Sequence, residues 1–406
     1  MKKKNRPATV MLLMAALVVL GLLVIFRIES PQPSASLPTS SGSVQAIEPT
    51  PSPSPPPKPT PTPDPILARA EELLAEMSDW EKICQMFIVY PEAVGTVTGA
   101  EDSMMEGLAK YPVGGFVFSA KNLGAGRDET IATIRKMQDW SKLGLIISAD
   151  EEGGRVNRLM TVLNTTWVSS MYSYKDKGIQ TAYDNAATIA RDLKTYGFNT
   201  DFAPVADVFS NPVNTVIGDR AYSDDFTQAA ELVESAVKGF KDNGVLCTLK
   251  HFPGHGDTVE DSHDSAAIIT KALSELEKQE FMPFIRGINA GADMVMIGHL
   301  TIPSLDPEPA TVSFSIVTGL LRDKLGYNGV VITDSLEMGA ITGYETGQLA
   351  ARAVSAGIDI LLGPDDLPKA IEGIERAIAM GELAIERIDE SVMRILKMKL
   401  ENGIIE

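Results

Sequence analysis

Short apolar runs alternate with longer amphipathic segments along residues 66–406. Each run has five to eight residues and is rich in β-branched side chains, as in a buried strand, whereas the intervening segments repeat apolar residues at helical spacing. Eight runs are present, at residues 84–91, 114–118, 145–150, 200–205, 245–252, 293–300, 329–334 and 358–363. Strands that alternate with helices in this way are typical of a parallel α/β protein.

Eight strand–helix repeats predict a single (β/α)8 barrel of the TIM type over residues 66–406. A doubly wound open sheet is the alternative, although no Gly-x-Gly-x-x-Gly motif follows the first run. Polar residues stand at or just beyond the ends of five runs, namely Asp150, Asp207, Lys250, His251, His299 and Asp334. A barrel enzyme carries its active site at these strand ends, so the pattern indicates an enzyme.

The chain begins with an apolar segment that suits a membrane. Residues 8–26 form an uncharged apolar run of nineteen residues, preceded by four basic side chains within residues 1–6. This length suffices to cross a bilayer as a helix and exceeds the apolar region of a cleavable signal peptide. We predict a cytoplasmic basic stub and a transmembrane signal anchor over residues 1–29, with the rest of this single-pass membrane protein outside the cytoplasm. Removal of the segment, leaving a secreted protein, is the alternative.

Residues 30–65 hold 13 of the 25 prolines, mixed with serine and threonine. Such a segment cannot bury an apolar core, which predicts a disordered, extended linker. The net charge is −18, and because residues 1–65 carry +3, residues 66–406 carry about −21. This acidity argues against binding to nucleic acid. The two cysteines, Cys84 and Cys247, lie in strand-like apolar runs and are expected to be small buried residues.

Three of the four histidines lie in one stretch, KHFPGHGDTVEDSH, at residues 250–263. Histidine exchanges protons near neutral pH and also binds metals, so two interpretations arise. Pro253 disfavours a helix that would place His251 and His255 on one face, but a loop folded around zinc stays an alternative.

Acid–base catalysis is the second interpretation of this stretch. Asp261 and His263 are two residues apart, so the carboxylate can orient the imidazole as a general acid and base. Asp334, which follows a buried strand, is the candidate nucleophile. Under this interpretation we expect neither a metal nor a cofactor.

Five separated motifs occur along the chain, and together they resemble one family. They are DEEGGRVNR (150–158), FAPVADV (202–208), IGDRAY (217–222), KHFPGHGDTVEDSH (250–263) and ITDSLEMGAI (332–341). In this order they resemble the β-N-acetylhexosaminidase branch of glycoside hydrolase family 3, and the resemblance extends over residues 66–403. It implies a (β/α)8 barrel that removes terminal, non-reducing β-linked N-acetylglucosamine with retention of configuration.

The resemblance also implies roles for eight residues. Asp334 matches the nucleophile that forms the covalent glycosyl intermediate, His263 the general acid and base, and Asp261 its partner. The sugar-binding positions are matched by Asp150, Arg158, Arg220, Lys250 and His251. The expected partner is an oligosaccharide or muropeptide that contains N-acetylglucosamine, bound in a barrel held at the membrane by the N-terminal helix. The sequence indicates no obligate protein partner.

Several alternatives stay open at the level of function. A family 3 β-glucosidase is disfavoured because such enzymes take their acid from a carboxylate elsewhere, often on a second domain, whereas this chain ends soon after the eighth run. A neutral imidazole in place of a second carboxylate leaves room for an anionic acceptor, so an N-acetylglucosamine phosphorylase is a further hypothesis. A cell-surface sugar-binding protein without catalysis would dispense with Asp334 or His263, and both are present.

Other polar residues near the motifs are interpreted as structural. Arg155 is expected in an ion pair, His255 and Asp257 in shaping their loop, and His299 as a buried histidine with hydrogen-bond partners. Asp207 is expected to accept hydrogen bonds from the backbone.

Overall fold

A computed structural model describes residues 64–95, 102–258, 267–337 and 343–406 of the chain. The predicted anchor over residues 1–29 and nearly all of the predicted linker lie outside these ranges, as do Asp261 and His263. Asp64 caps the first helix, which begins at Pro65. Across the described ranges, the helices are too short or too polar to span a bilayer.

The strands occupy the predicted apolar runs. In chain order they are β1 (Phe87–Val89), β2 (Gly115–Val117), β3 (Ile146–Ala149), β4 (Thr200–Asp201), β5 (Leu246–Phe252), β6 (Ala267–Ile268), β7 (Met294–Ile297), β8 (Leu300–Ile302), β9 (Asp306–Pro309), β10 (Val330–Thr333) and β11 (Leu361–Leu362). Eight of them pair in parallel in the order β10, β7, β5, β4, β3, β2, β1, β11. All eight predicted strands are therefore confirmed.

The two outer strands of this order meet and bring the sheet almost to closure. A parallel bridge joins Ile332 to Ile360. The Thr333 N–H donates to the carbonyl of Ile360, and the Ile360 N–H donates to the carbonyl of Val331, both at 3.0 Å. The result is a nearly closed, eight-stranded parallel α/β barrel, as the sequence predicted.

Helices follow most barrel strands, and two more precede the first strand. In chain order the α-helices are α1 (Pro65–Glu76), α2 (Asp79–Gln85), α3 (Asp102–Lys110), α4 (Arg127–Trp140), α5 (Leu159–Leu163), α6 (Ile179–Thr195), α7 (Phe226–Asp242), α8 (Leu273–Leu276), α9 (Phe281–Asn289), α10 (Thr346–Ala356), α11 (Leu367–Ala379) and α12 (Ile385–Glu401). Side-chain hydrogen bonds at the N-termini show why several of these helices begin where they do. Ser78 and Glu81 form a reciprocal capping box on α2, and Asp225 and Asp366 cap α7 and α11.

Two details differ from the sequence analysis. The segment 272–290 has the amphipathic pattern of one helix but consists of two, α8 and α9, and Pro283 lies in the first turn of α9, where its missing N–H costs no helical hydrogen bond. Cys84 lies in α2 rather than in a strand, whereas Cys247 is in β5. Both cysteines are buried and free, as expected.

The buried carboxylate of Asp359 joins the two outer barrel strands, β10 and β11. The Asp359 N–H donates to the Val331 carbonyl at 2.8 Å, and the Val331 N–H donates back to the Asp359 carboxylate at 2.9 Å. Arg322, Arg387 and Arg394 donate to the same carboxylate. One buried acid thus links β10, the start of β11 and helix α12.

A three-stranded sheet of β6, β8 and β9 lies apart from the barrel order. β6 pairs in parallel with β8, and β8 pairs antiparallel with β9. This sheet was not predicted, because strands of two to four residues carry too little alternation to be recognised in the sequence.

Candidate active site

A cavity of about 490 Å³ opens at the C-terminal ends of the barrel strands. Six of the eight predicted site residues line it, namely Asp150, Arg158, Arg220, Lys250, His251 and Asp334. The remaining two, Asp261 and His263, lie outside the described residues. Six residues predicted from strand ends and motifs thus lie together around one cavity, at the end of the barrel where such enzymes carry their sites.

A chain of alternating charges forms the polar wall of the cavity. Lys250, in β5, places its Nζ 2.7 Å from Asp150 Oδ1 and 2.7 Å from Glu152 Oε1. Glu152 also accepts from Arg220 Nε and Nη2, both at 2.8 Å. At the other end, Arg158 Nη2 lies 3.7 Å from Asp150 Oδ2. Three cations and two carboxylates are thereby fixed against one another.

The shifts in pKa of Glu152 and Lys250 keep these two groups charged. Burial raises the pKa of Glu152, but the neighbouring charges of Arg220 and Lys250 outweigh it and hold that pKa well below its usual range. Burial lowers the pKa of Lys250, and the carboxylates of Asp150 and Glu152 more than reverse the effect. Glu152 and Lys250 are therefore an ion pair at neutral pH.

Asp334 follows β10 and is half-buried. Its backbone N–H donates to the Ile297 carbonyl at 2.9 Å, and its Oδ1 accepts from the Ser335 N–H at 2.8 Å. Burial raises the pKa of Asp334, but the imidazoles of His251 and His299, together with this hydrogen bond, lower it below its ordinary value. Asp334 is thus an ionised carboxylate at neutral pH, the state that a nucleophile requires.

His251 is held by a carboxylate that the sequence analysis had assigned only to the backbone. Asp207 Oδ2 lies 2.6 Å from His251 Nδ1 and accepts from the His251 N–H at 3.1 Å, while Oδ1 accepts from the His255 N–H at 2.6 Å. The predicted backbone bonding of Asp207 is confirmed, and the pairing with the ring is additional. Nδ1 of His251 is directed at Asp207, and Nε2 lies 3.5 Å from Arg220 Nη2.

The segment that precedes the predicted acid–base residues is fixed to the loop after β4. The Asn214 side chain donates to the His255 carbonyl at 2.7 Å, and the Asn211 side chain donates to the Asp257 carbonyl at 3.1 Å. His255 is buried, with Nδ1 2.7 Å from the Thr258 hydroxyl, and Asp257 lies 3.5 Å from Lys271. His255 and Asp257 thus shape their loop, as predicted.

Two further residues have the structural roles that the sequence suggested. Arg155 forms an ion pair with Asp219 at 3.2 Å and donates to three backbone carbonyls, although it also borders the cavity. His299 is buried, with Nδ1 2.7 Å from the Thr311 hydroxyl and Nε2 2.8 Å from the Ser335 carbonyl. His299 therefore supports the residue that follows Asp334.

The cavity lining also includes apolar side chains. Tyr90, Val117, Met296 and Leu362 come from the ends of four barrel strands or the residues after them. Burial is the main reason that the pKa of Tyr90 is raised to about 12, so the phenol stays neutral. The cavity therefore presents apolar carbon as well as charged groups, which suits a ligand with both hydroxyl groups and carbon faces.

Sequence reasoning missed Glu152 and the ring contact of Asp207. Glu152 lies inside the DEEGGRVNR motif, but nothing in the motif shows that it faces two cations 68 and 98 residues away. The available signal for Glu152 in the sequence was its position, as a second acidic residue between Glu151 and the glycine pair at 153–154.

The charged groups around the cavity indicate one class of protein. Directional charged groups that recognise hydroxyls, beside an ionised carboxylate, form the arrangement of an enzyme that cleaves sugars.

Comparison with known proteins agrees with this class. The profile of the glycosyl hydrolase family 3 N-terminal domain matches residues 80–398, so the chain belongs to this family. β-Hexosaminidase LpqI of Mycobacterium tuberculosis is 33% identical over 341 residues, which cover 81% of this chain and 84% of that protein. β-Hexosaminidase A of Pseudoalteromonas piscicida is 33% identical over 334 residues, 75% of this chain but only 56% of that protein.

A solved structure supports the same branch. The β-N-acetylglucosaminidase of glycoside hydrolase family 3 from Paenibacillus sp. str. FPU-7 superimposes with a TM-score of 0.76 at 36% identity, covering 81% of this chain and 63% of that one. The resemblance to the β-N-acetylhexosaminidase branch, predicted from five motifs, is confirmed.

Proposed function

We propose that the chain hydrolyses terminal, non-reducing β-linked N-acetylglucosamine from oligosaccharides, with retention of configuration. Relatives at 33% identity are named β-hexosaminidases, and a structure at 36% identity is named a β-N-acetylglucosaminidase. The observation that carries the proposal is the ionised Asp334 in the same cavity as the charged wall of Asp150, Lys250 and Arg220.

The first step forms a bond between the enzyme and the sugar. An oxygen of Asp334 attacks C1, the glycosidic C–O bond breaks, and the departing oxygen takes a proton from His263, the residue that the family resemblance assigns as acid. Positive charge that develops on the ring is balanced by the carboxylate before the covalent bond forms. The second step reverses the roles. Water adds to C1, gives its proton to His263, and Asp334 leaves.

The charged wall serves binding rather than bond cleavage in this proposal. Hydroxyl groups of the sugar receive hydrogen bonds from Lys250, Arg220 and Arg158, and donate to Asp150. Because these groups are fixed against one another, little ordering is required when the sugar binds.

The test is the release of 4-nitrophenol by residues 64–406 from the β-N-acetylglucosaminide and, separately, from the β-glucoside. We expect cleavage of the N-acetylated substrate, and a loss of roughly 1,000-fold or more in kcat for Asp334→Asn, because the amide is a poor nucleophile. Asp323→Asn, an exposed aspartate on the outer surface, is the matched control and should keep full activity.

Two results would refute the proposal. One is cleavage of the glucoside in preference to the N-acetylated substrate. The other is an Asp334→Asn variant that keeps the activity of the Asp323→Asn control. Trapping the intermediate with a 2-fluoro sugar, followed by mass spectrometry of the peptide that contains Asp334, distinguishes a covalent mechanism from one in which the carboxylate only stabilises charge.

We further propose that the enzyme acts at the outer face of the cell membrane, on peptidoglycan fragments or chito-oligosaccharides. The support is in the sequence, in the apolar run of residues 8–26 and the proline-rich segment that follows it. Added protease should digest the barrel in whole protoplasts that carry the full chain. Protection of the barrel until the membrane is lysed would contradict the proposal.

A further inference from the structure

Glu152 is the most enclosed carboxylate in the wall of the cavity. Its side chain is 3% exposed, as is that of Lys250, and Arg220 is 9% exposed. Both of its oxygens are used. Oε2 accepts from Arg220 Nε, and Oε1 accepts from Arg220 Nη2 and lies 2.7 Å from Lys250 Nζ. A side-on pair of this kind fixes the plane of the guanidinium group as well as its position.

Glu152 also determines the charge balance of the wall. Arg158, Lys250 and Arg220 contribute three positive charges, and Asp150 and Glu152 contribute two negative ones. Asp150 is shared between Lys250 and Arg158, so Arg220 is balanced within the wall by Glu152. Replacing Glu152 with a neutral residue would raise the net charge of these five residues from one to two, and Lys250 and Arg220, which are 3% and 9% exposed, would lose the carboxylate that they share.

The hydrogen bonds of Lys250 and Arg220 show which of their donors are available to a ligand. An ammonium group has three donors, and two of those on Lys250 are directed at Asp150 and Glu152. On Arg220, Nε and Nη2 are directed at Glu152, and Nη1 donates to the Val216 carbonyl at 3.1 Å. The remaining donors of Lys250 and Arg220 have fixed directions because Glu152 holds both groups.

We propose that Glu152 is a positioning residue for sugar binding, which aims Lys250 and Arg220 at the sugar hydroxyls and cancels the charge that would otherwise draw anions into the cavity. This inference rests on the proposed function. Glu152 takes no part in proton transfer or bond cleavage. It acts through the two cations.

The proposal predicts a property that a purely structural residue would not control. In Glu152→Gln the cavity should become an anion site, because two partly unbalanced cations face it. Inorganic sulfate, a doubly charged anion with four acceptor oxygens, is the probe. It should inhibit the variant competitively with the nitrophenyl substrate, and act at least roughly tenfold more weakly on wild type. Sodium chloride at matched ionic strength controls for screening.

Sugar affinity gives the second measurement. Binding of N-acetylglucosamine, followed by calorimetry, should weaken roughly tenfold or more in Glu152→Gln, and kcat/KM should fall by about 100-fold because the sugar is held less accurately. Glu152→Asp keeps the negative charge but shortens the side chain by one methylene group. It should lose affinity without gaining sensitivity to sulfate.

Glu151→Gln is the matched control. Glu151 is a buried carboxylate in the same loop, but its partners are the backbone N–H groups of Arg158, Leu159 and Met160. Its replacement should not make the enzyme sensitive to sulfate.

The outcomes separate this inference from the proposed function. If wild type neither binds nor releases N-acetylglucosamine, the proposed function fails. If wild type binds the sugar and Glu152→Gln binds it equally well, or loses affinity without sensitivity to sulfate, only the role of Glu152 is refuted. Should Glu152→Gln not fold, Glu152→Asp decides, because an unchanged affinity in that variant overturns the proposal.

Discussion

At the scale of single residues, the motif KHFPGHGD owes its second glycine to a close approach between two loops. A Cβ on Gly256 would lie 1.7 Å from the carbonyl oxygen of Val208. The Asn211 N–H donates to the Gly256 carbonyl at 3.3 Å, which holds the two segments together at that point. The glycine therefore allows the loop after β5 to lie directly on the loop after β4.

We predict that Gly256→Ala lowers kcat/KM by about 100-fold and the free energy of unfolding by about 1–3 kcal/mol, since the backbone must move apart beside His255 and Asp257. Steady-state kinetics and chemical denaturation measure the two effects. Gly124→Ala is the control, because the nearest atom to its added Cβ is the Lys121 carbonyl oxygen at 3.8 Å. Equal activities for the two variants would show that the contact has no role.

At this scale the residues at strand ends were predictable from the sequence, but their partners were not. Asp150, Lys250 and Asp334 were recognisable because a polar side chain after a buried strand faces the mouth of a barrel. The pairing of Glu152 with Arg220, and of Asp207 with the His251 ring, depends on loops that meet only after the barrel has formed. A single sequence contains no signal for such contacts.

At the scale of elements, helix α12 contains a lysine in an unusual position. Lys399 is fully buried, and its Nζ donates to Gln85 Oε1 at 2.9 Å. Burial lowers the pKa of Lys399 from 10.5 to about 7. In the unfolded chain the same group binds a proton up to about pH 10, so between pH 7 and 10 the unfolded state binds more protons than the folded state, and stability rises with pH through this window.

In wild type, Lys399 makes a contribution to the free energy of unfolding that changes by on the order of 4 kcal/mol between pH 7 and 10. We therefore predict that Lys399→Met removes this pH-dependent contribution. The difference in free energy of unfolding between variant and wild type should favour the variant most at pH 7 and decline as pH rises. Urea denaturation at several pH values measures it. Lys397→Met is the control on the same helix, since Lys397 borders a surface pocket. A difference that does not vary with pH would mean that Lys399 is charged in the folded protein.

Elements were predictable where burial was complete. The barrel strands are buried at every position, so most of them lie within predominantly apolar runs of the sequence. The boundary between α8 and α9 was not visible, because the amphipathic pattern continues through the break, and the position of Pro283 is compatible with either a kinked helix or a new one.

At the scale of the whole molecule, Asp359 joins the two outer strands where the barrel closes. Its N–H donates to the Val331 carbonyl, its carboxylate accepts from the Val331 N–H, and the same carboxylate binds three guanidinium groups, two of them from α12. The sequence analysis predicted the two strands but not this link, because IDILLG shows an acid within an apolar run and gives no indication of the arginines that neutralise it.

We predict that Asp359→Asn lowers the free energy of unfolding by about 3–5 kcal/mol, because three cations then lack their common counter-charge in a buried place. Denaturant unfolding, followed by circular dichroism, measures the loss. Asp366→Ala is the control. It removes the cap of α11 together with a solvent-exposed ion pair to Lys369 and should cost about 1 kcal/mol. A loss for Asp359→Asn no larger than that of the cap would contradict the assigned role.

The alternating charges in the wall of the cavity have a consequence for how this enzyme can change its specificity. Each charged residue there is paired with another, so under the proposed function a single substitution at a sugar-binding position also leaves a neighbouring charge without its partner. New specificities that involve the hydroxyl groups must therefore arise through paired, compensating substitutions. The apolar lining of Val117, Met296 and Leu362 carries no such coupling, and libraries that vary these positions one at a time are the shorter route to an enzyme for a different sugar.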